Sequence, residues 1–464
     1  MFKKETYLKR REQLKKEVGN GLILLLGNSE SPMNYADNTY HYRQDSSFIY
    51  FTGINHPDLV TVLDCESGDE ILFGDDYTID DIVWMGQQPS IASRAEKSGI
   101  RESQPISKLQ QMLDAAKSKG RKIHFLPVYR HDNKIRIFEW LRIEPSKVVE
   151  KASTELIKAV VNQRNYKSEE EIVEIEKAVN TSVDMHLAAM RMLKPGMRES
   201  DVAAEMIHIA ERENGHLSFP VIATINGQTL HNHYHGNVVK DEQMLLLDCG
   251  AETSMGYAGD LSSTMPVGPK FTPLQKEIYN ITLASHEAAI DMLKPGVAFK
   301  DVYYQSARTM MEGLKDMGFV KGNIEDALAK GVHAMFFPCG LGHMMGLDVH
   351  DMEDLGEVYV GWDGIPKSTQ FGLKSLRLGR KLEPNFVLTI EPGIYFIPDL
   401  IDLWKSNKTN TEFLNFDMLD KFRNFGGIRN EEDFLITPDG KRLLGKQKPK
   451  TVEQVETERA KAFD

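Results

Sequence analysis

Residues 386–393 have the sequence Phe-Val-Leu-Thr-Ile-Glu-Pro-Gly, which predicts a buried strand that ends in a carboxylate. Five apolar or β-branched residues in a row are typical of a strand buried on both faces. Pro392 cannot donate to a sheet and Gly393 frees the backbone to turn, so the strand is expected to stop after Glu391. A carboxylate placed there is costly unless a cation compensates its charge.

Two further apolar segments carry acids in the same way. Residues 244–247 are followed by Asp248, and a candidate strand over residues 428–433 carries Glu431 and Glu432. Asp260 follows a glycine-rich turn twelve positions after Asp248, since 260 − 248 is 12. We expect these acids to converge on bound metal. An aspartate before glycine is often only a turn residue, so spacing alone leaves a salt-bridged core open as the alternative.

Composition narrows the class of protein. The 464 residues suggest two to three domains at about 150 residues each. A net charge of −12 argues against a nucleic-acid partner, because binding to phosphates needs a basic surface. Three scattered cysteines form no CxxC pair, which predicts neither a disulfide framework nor a thiolate zinc site. No segment has the run of about 18 apolar residues that a membrane span needs or the apolar core of a secretory signal, so a cytoplasmic location is expected.

The first part of the chain is predicted to be an α/β domain over residues 1–164. Strands are expected at 22–26, 48–52, 59–63, 71–73 and 123–126, with a helix at 106–116 between the last two. A boundary is expected near residues 162–168, where Ser168 and Glu171 form a capping box that opens a long helix.

An internal repeat organises the second part of the chain. The sequence Met-Leu-Lys-Pro-Gly at 192–196 recurs at 292–296, and His186 and Asp201 recur as His286 and Asp301. The repeat predicts two related halves of one domain over residues 165–445, with a site between them and both histidines in structural roles. Residues 446–464 are charged and are expected to form a solvated terminal helix or tail.

Four carboxylates and one imidazole make up the candidate ligand set: Asp248, Asp260, His343, Glu391 and Glu431. An oxygen-rich set of this kind suits Mn, Co, Fe or Zn. Carboxylates can bridge, so five side chains can hold two ions, and a water shared by the ions would become a hydroxide nucleophile near neutral pH. Glu391 is placed to accept its proton, and a histidine outside the set to stabilise the oxyanion.

The motifs resemble those of a known family. They are Asp248 with Gly-Tyr-Ala-Gly-Asp at 256–260, Gly-Leu-Gly-His at 340–343, Leu-Asp-Val-His-Asp at 347–351, Thr-Ile-Glu-Pro-Gly-Ile-Tyr at 389–395 and Gly-Ile-Arg-Asn-Glu-Glu at 427–432. Together they resemble the proline-peptidase branch of the pita-bread metallopeptidases, which contains aminopeptidase P and prolidase. Residues 43–46 and 51–53 resemble that family's N-terminal domain. The resemblance implies an α/β N-terminal domain and an α+β pita-bread C-terminal domain with a pseudo-twofold repeat.

The resemblance also assigns roles. The five candidate ligands match the family's ligands by position, and Glu431 is preferred to Glu432 because it lies two residues after Arg429. His350 would contact substrate and oxyanion, and Arg429 would lie beside the site. The resemblance implies a second catalytic histidine, for which His231 is preferred and His233 is the alternative register. The segment between the two ligand aspartates is one residue longer than is usual in the family, which predicts a bulged turn.

The activity implied is hydrolysis of the Xaa-Pro bond at peptide N-termini. The expected cofactors are two divalent cations, Mn²⁺ first, with Co²⁺, Zn²⁺ or Fe²⁺ as alternatives, and the expected assembly is a homodimer. The alternative is a prolidase, in which Arg377 would hold the C-terminal carboxylate of a dipeptide. A metal-free binding scaffold of the same fold is the remote alternative, and retention of all five ligands argues against it.

Overall fold

The structure is a computed structural model that describes residues 1–464. The chain forms two compact units. The first comprises Met1–Arg164 with Met352–Tyr359, and the second comprises Asn165–Asp351 with Val360–Asp464. The short helix α13 (Glu357–Val360) lies where the chain passes from one unit to the other.

The first unit is built on a five-stranded sheet with strand order β4-β3-β2-β1-β5. Strand β1 pairs antiparallel with β2 and parallel with β5, and its apolar side chains are buried in a core with helix residues such as Leu109 and Ile137. The α/β prediction is thereby confirmed. Its elements are α1 (Lys4–Val18), β1 (Leu22–Leu26), α2 (Ser46–Thr52), β2 (Val60–Asp64), β3 (Glu70–Phe73), α3 (Ile79–Met85), α4 (Ile91–Ser98), β4 (Glu102–Gln104), α5 (Leu109–Ser118), β5 (Ile123–His124), α6 (His131–Leu141) and α7 (Thr154–Arg164).

The strand predicted at residues 48–52 is wrong, because this segment is helix α2. Asp45 caps the helix by accepting a hydrogen bond of 2.9 Å from the Phe48 amide. Gly53 ends it in the left-handed region at φ 68, with its amide bonded to the Ile49 carbonyl. The caps at both ends satisfy backbone N–H and C=O groups that would otherwise lack partners in the helix. This stabilises a helix despite an aromatic sequence that favours a strand.

The second unit combines four long helices with short antiparallel sheets. The sheets have the strand orders β10-β8-β7, β11-β14-β15, β12-β13 and β6-β9. The elements are α8 (Glu169–Met192), α9 (Glu199–Arg212), β6 (His216–Leu217), β7 (Ile222–Thr224), β8 (Met244–Cys249), β9 (Ala251–Glu252), β10 (Leu261–Pro266), α10 (Pro273–Asp291), α11 (Phe299–Asp316), α12 (Ile324–Ala329), β11 (Val387–Ile390), β12 (Gly393–Tyr395), α14 (Pro398–Ser406), α15 (Phe416–Lys421), β13 (Gly427–Arg429), β14 (Glu432–Thr437), β15 (Gly440–Leu443) and α16 (Val452–Ala460).

The internal repeat is visible in matching contacts. Helices α8 and α9 are joined through Gly196, and α10 and α11 through Gly296, at φ 92 and φ 87. The Gly196 amide donates to the carbonyl of Val239, and the Gly296 amide donates to that of Leu382. The two helix pairs therefore hold equivalent strand-flanking segments, as the recurring Pro-Gly sequence predicts.

Residues 446–464 do contain a terminal helix, α16, but the segment is not simply solvated, because one side of it packs into the second unit. Helix α16 lies against α8, and Arg459 is fully buried. The Arg459 guanidinium donates to the backbone carbonyls of Met190, Leu193, Pro266 and Val267. The high charge of the segment concealed this anchor, since a buried arginine cannot be told from a solvated one by composition.

Candidate metal centre

Asp248 and Asp260 are held by neighbouring strands. Asp248 lies inside β8, in register with Ser262 on β10 and Ile222 on β7, rather than after the strand's end as predicted. Asp260 directly precedes β10, and its amide donates to the carboxylate of Asp433 at 3.2 Å. The antiparallel β8–β10 pair therefore places both aspartates at one end of the sheet.

His343 lies on a loop that runs beside β11. The Thr389 amide donates to the His343 carbonyl at 3.1 Å, and Met344 forms a bridge with Leu388. This close approach requires Gly342, since a Cβ there would lie 2.0 Å from the Thr389 carbonyl oxygen. The Nδ1 atom of His343 donates to the Met344 carbonyl at 3.0 Å, which directs Nε2 toward the acids. Nε2 lies 3.3 Å from Asp260 Oδ2 and 3.6 Å from Glu391 Oε1.

Glu391 and Glu431 follow strand ends. The Glu391 amide, directly after β11, donates to the Leu341 carbonyl at 2.7 Å. The single strand predicted at 428–433 is wrong: β13 pairs with β12 and β14 pairs with β11, and Glu431 lies in the break between them. The Glu431 amide donates to the Ser262 carbonyl at 3.1 Å, and its carboxylate accepts from the Ser262 hydroxyl at 2.8 Å.

The resulting cluster has the chemistry of a cation site. Ligand atoms of Asp260, His343 and Glu431 all lie within 4.8 Å of one another. One carboxylate oxygen each of Asp248, Asp260 and Glu431 is buried without a hydrogen-bond partner, and such orphaned oxygens are unusual. Burial raises the pKa of Asp260 to about 8 and that of Glu391 to about 7. Burial also raises the pKa of Glu431 far above its usual value. The residues therefore fit a bound divalent cation, which would supply the missing positive charge.

Arg429 orients Asp248 from within the fold. Its guanidinium donates to Asp248 Oδ2 at 2.5 Å, to the Tyr395 hydroxyl at 2.9 Å and to the Ser262 hydroxyl at 2.9 Å. Because Ser262 also bonds Glu431, one arginine fixes two acids of the cluster. A supporting arrangement of this kind usually sets ligand geometry as strongly as the ligands themselves.

A cavity of about 320 Å³ adjoins the cluster. His231, His233, His350 and Arg377 all line it, together with Asp248, Asp260, His343, Glu391, Arg429 and Glu431. The ring of His350 lies 4.3 Å from that of His343, centroid to centroid. The structure thus brings both candidate registers of the second histidine to the same cavity.

The two repeat-related histidines do not line this cavity. His186 lies 2.9 Å from the Ser263 hydroxyl and 3.3 Å from the Cys249 carbonyl oxygen, and His286 lies 3.1 Å from the Ile390 carbonyl oxygen. Each therefore joins a long helix to a strand that carries a candidate ligand, which agrees with the structural role predicted for both.

Sequence patterns missed Asp433, Ser262 and Lys448. Asp433 is fully buried beside Asp260, and Lys448 is 2% exposed and bonded to the backbone of β10. A third acid directly after Glu431 and Glu432 was a signal for Asp433. Nothing in the sequence distinguishes Lys448 from the solvated lysines around it.

Comparisons with known proteins assign this chain to a family. The family model described as "Metallopeptidase family M24" matches residues 173–438, and that described as "Aminopeptidase P, N-terminal domain" matches residues 7–124. The chain belongs to metallopeptidase family M24. The match covers the whole candidate centre, and a metallopeptidase of this family requires divalent metal.

Relatives of two kinds share the full length of this M24 chain. The human Xaa-Pro dipeptidase is 31% identical over 96% of this chain and 90% of its own length. The Xaa-Pro aminopeptidase of Escherichia coli is 31% identical over 98% of this chain and 97% of its own. A solved structure of E. coli aminopeptidase P covers all of this chain and 99% of its own, at 28% identity and a TM-score of 0.81. The predicted two-domain fold with a pita-bread C-terminal domain is confirmed.

Proposed function

We propose that this M24 metallopeptidase hydrolyses the bond that precedes proline at the N-terminus of peptides, with two divalent cations bound in the second unit. The ligands proposed are Asp248, Asp260, His343, Glu391 and Glu431. The proposal is carried by the convergence of ligand atoms of Asp260, His343 and Glu431 within 4.8 Å of one another, where Asp260 and Glu431 each also have a buried carboxylate oxygen without a hydrogen-bond partner. Bound divalent cations would act as Lewis acids that lower the pKa of water and polarise the substrate carbonyl.

The remaining roles belong to the side chains around the cavity. Glu391 is proposed to accept a proton, because its carboxylate lines the cavity 3.6 Å from Nε2 of His343. His350 and His231 line the same cavity and are proposed to donate hydrogen bonds to the oxygen on which negative charge develops. His233 remains the alternative to His231. Arg429 lines the same cavity and is proposed to keep Asp248 in place.

Proline sets the substrate class. An Xaa-Pro bond has no N–H, so recognition cannot use the donor on which ordinary peptidases depend. Both kinds of relative are named for Xaa-Pro substrates. The solved structure of aminopeptidase P covers all of this chain, and this similarity favours removal of the first residue from longer peptides. Arg377 on the cavity wall favours the dipeptidase alternative, because a guanidinium there can bind a dipeptide carboxylate in a bidentate manner.

A series of peptides of increasing length tests both the peptidase activity and the aminopeptidase assignment. With Mn²⁺ added, Ala-Pro, Ala-Pro-Pro and Ala-Pro-Pro-Ala are compared with Ala-Ala-Pro, which lacks proline in the second position. We expect release of alanine from the tri- and tetrapeptide and none from the control. Cleavage of the dipeptide alone overturns the aminopeptidase assignment. No cleavage with Mn²⁺, Co²⁺ or Zn²⁺ overturns the peptidase.

Arg377→Met separates the two activities further. In a dipeptidase it would raise KM for Ala-Pro at least about tenfold, since a bidentate pair to the substrate carboxylate is lost. In an aminopeptidase KM for Ala-Pro-Pro-Ala would stay unchanged. Manganese as the native metal, the homodimer and a cytoplasmic location remain predictions. No helix of the structure is both long and apolar enough to cross a membrane.

A further inference from the structure

A buried ion pair lies beside His350, at the end of the histidine loop (residues 343–351). Lys167 Nζ donates to Asp351 Oδ2 at 2.8 Å, and both side chains are 1% exposed. Neither residue lines the cavity at the candidate metal centre, although His350 does. A buried ion pair can often be replaced by apolar groups without loss of stability, so stability alone does not account for this pair.

Asp351 closes the histidine loop on itself. The Met344 carbonyl accepts from His343 Nδ1 at 3.0 Å and from the Asp351 amide at 2.9 Å. The Asp348 amide donates to Asp351 Oδ1 at 3.4 Å. These bonds join the two ends of the loop, where the rings of His343 and His350 lie 4.3 Å apart, centroid to centroid.

Gly346 leaves the space that the ion pair occupies. A Cβ at this position would lie 2.8 Å from both Asp351 Oδ2 and Lys167 Cε. The Gly346 carbonyl also accepts from the Ala258 amide at 2.9 Å. The backbone of the histidine loop therefore packs directly against the two charged side chains, so a change in the pair must be felt by the loop.

Lys167 is itself fixed in the second unit. Its amide donates to the Asn385 carbonyl at 2.9 Å, and the Asn385 amide donates to the Ile436 carbonyl at 2.8 Å. Lys167 also directly precedes Ser168, the residue that caps α8. The ammonium therefore reaches Asp351 from an anchored segment and can hold that carboxylate at a set place.

The His343 end of the loop is attached to β11 by bonds of its own. The His343 amide donates to the Thr389 hydroxyl at 3.2 Å, and the Met345 amide donates to the Val387 carbonyl at 3.1 Å. These bonds do not involve the ion pair. Loss of the pair should therefore release the His350 end of the loop and leave His343 at the candidate metal centre.

We propose that the ion pair of Lys167 and Asp351 positions His350 in the cavity. The inference rests on the proposed function, in which His350 donates a hydrogen bond to the oxygen that becomes negative. It makes Lys167 and Asp351 positioning residues, which act through the backbone on a ring that meets the substrate. A charged pair suits this role because, once buried, each charge must keep its one partner, whereas apolar side chains can repack.

Lys167→Met tests this role, because it removes the ammonium and keeps an unbranched side chain. With Ala-Pro-Pro as substrate we expect kcat to fall about 10- to 100-fold, as a misplaced catalytic group would cause. KM should stay within about twofold, and elemental analysis should show the same Mn²⁺ per chain. In a His350→Ala background the substitution should lower kcat by less than about twofold, because the ring that it positions is already absent.

Two further variants separate positioning from stability. Arg459→Leu weakens the second unit through α16, and it should lower Tm while leaving kcat well below Tm unchanged. Lys167→Met combined with Asp351→Asn replaces the buried charge pair by neutral groups, so it covers failure of the single variant to fold. The same loss of kcat is expected in this double variant, and wild-type kcat in it would overturn the proposal.

Hydrogen exchange of the histidine loop gives a readout that needs no activity. Exchange in peptides spanning residues 343–351 should become at least about tenfold faster in Lys167→Met and stay unchanged in Arg459→Leu.

Three results would overturn the positioning role. They are equal losses of kcat with and without His350, loss of bound Mn²⁺ in Lys167→Met, and unchanged exchange of the loop in that variant. An inactive wild-type protein would instead overturn the proposed function, and the exchange measurement would still show whether the pair holds the loop. The two failures are therefore distinct.

Discussion

Glu391 is proposed both to bind metal and to accept a proton. Its carboxylate lies 3.6 Å from His343 Nε2, and in the absence of bound cations burial raises its pKa to about 7. Glu391→Ala should lower turnover of Ala-Pro-Pro by about 10³-fold, in the range expected when a proton acceptor is removed. The fold should be kept, because burying one charge fewer relieves repulsion. Steady-state kinetics and circular dichroism measure the two effects. Glu383→Ala, at a partly exposed ion pair with Arg380 that does not line the cavity, is the control, and an active Glu391 variant would refute the role of Glu391.

Gly342 is needed because there is no room for a side chain at this position, not because of its backbone conformation. In Gly342→Ala the new Cβ would stand 2.0 Å from the Thr389 carbonyl oxygen, so the loop must move away from β11 and carry His343 with it. We expect a loss of about 1–3 kcal/mol in stability and weaker Mn²⁺ binding in calorimetry. Gly440→Ala is the matched control, because a Cβ there meets nothing within 4 Å. Unchanged metal affinity in the Gly342 variant would argue against the placement of His343.

At the scale of elements, the sequence predicted strands correctly where a continuous apolar run is also buried in the fold. The runs that became β1, β8 and β11 are largely apolar and almost entirely buried, as is typical of strands covered on both faces. Residues 48–52 are equally apolar, yet caps at Asp45 and Gly53 make them a helix. The break at Glu431 could not be foreseen, because it depends on β13 and β14 pairing with different strands.

Helix α16 is expected to be essential to the second unit. Arg459→Leu removes a guanidinium that satisfies four backbone carbonyls, and burial already lowers its pKa to about 10. Leaving those carbonyls unpaired should cost about 3 kcal/mol and lower Tm by about 5 °C. Lys461→Met, on the exposed side of the same terminus, should leave Tm within a degree or so of wild type. A Tm of the Arg459 variant equal to wild type would show that the segment is dispensable.

At the scale of the whole molecule, sequence motifs identified the acids but not the charge balance that holds them. Asp248, Asp260, His343, Glu391 and Glu431 could be selected from strand ends and from resemblance, and the structure brings all five to one cavity. The compensating groups come from distant segments. Arg429 on β13 reaches Asp248 on β8, and Lys450, from beyond the last strand, binds Glu432 at 2.9 Å. Long-range contacts of this kind leave no local pattern in a sequence, which is why the terminal segment was misjudged.

The excess of buried acid makes metal binding depend on pH. In the metal-free protein the pKa values of Asp260 and Glu391 are about 8 and 7, well above the values of about 4 in an unfolded chain. The folded state therefore binds more protons than the unfolded state between pH 4 and 8. Stability from these two groups is present at low pH and is lost as pH rises through 7 and 8.

Bound cations require the same carboxylates to be ionised, so binding must release protons below pH 8. Affinity for Mn²⁺ should rise at least about tenfold from pH 6 to pH 8, and Tm in EDTA should fall over the same interval. Calorimetry at pH 6.5 in two buffers of different ionisation enthalpy counts the protons released. Glu391→Gln should reduce that count, because one titrating group is gone. Equal affinity at pH 6 and pH 8 would mean that the acids are already ionised without metal, and that the positive charge of Arg429, Lys448 and Lys450 suffices to hold them.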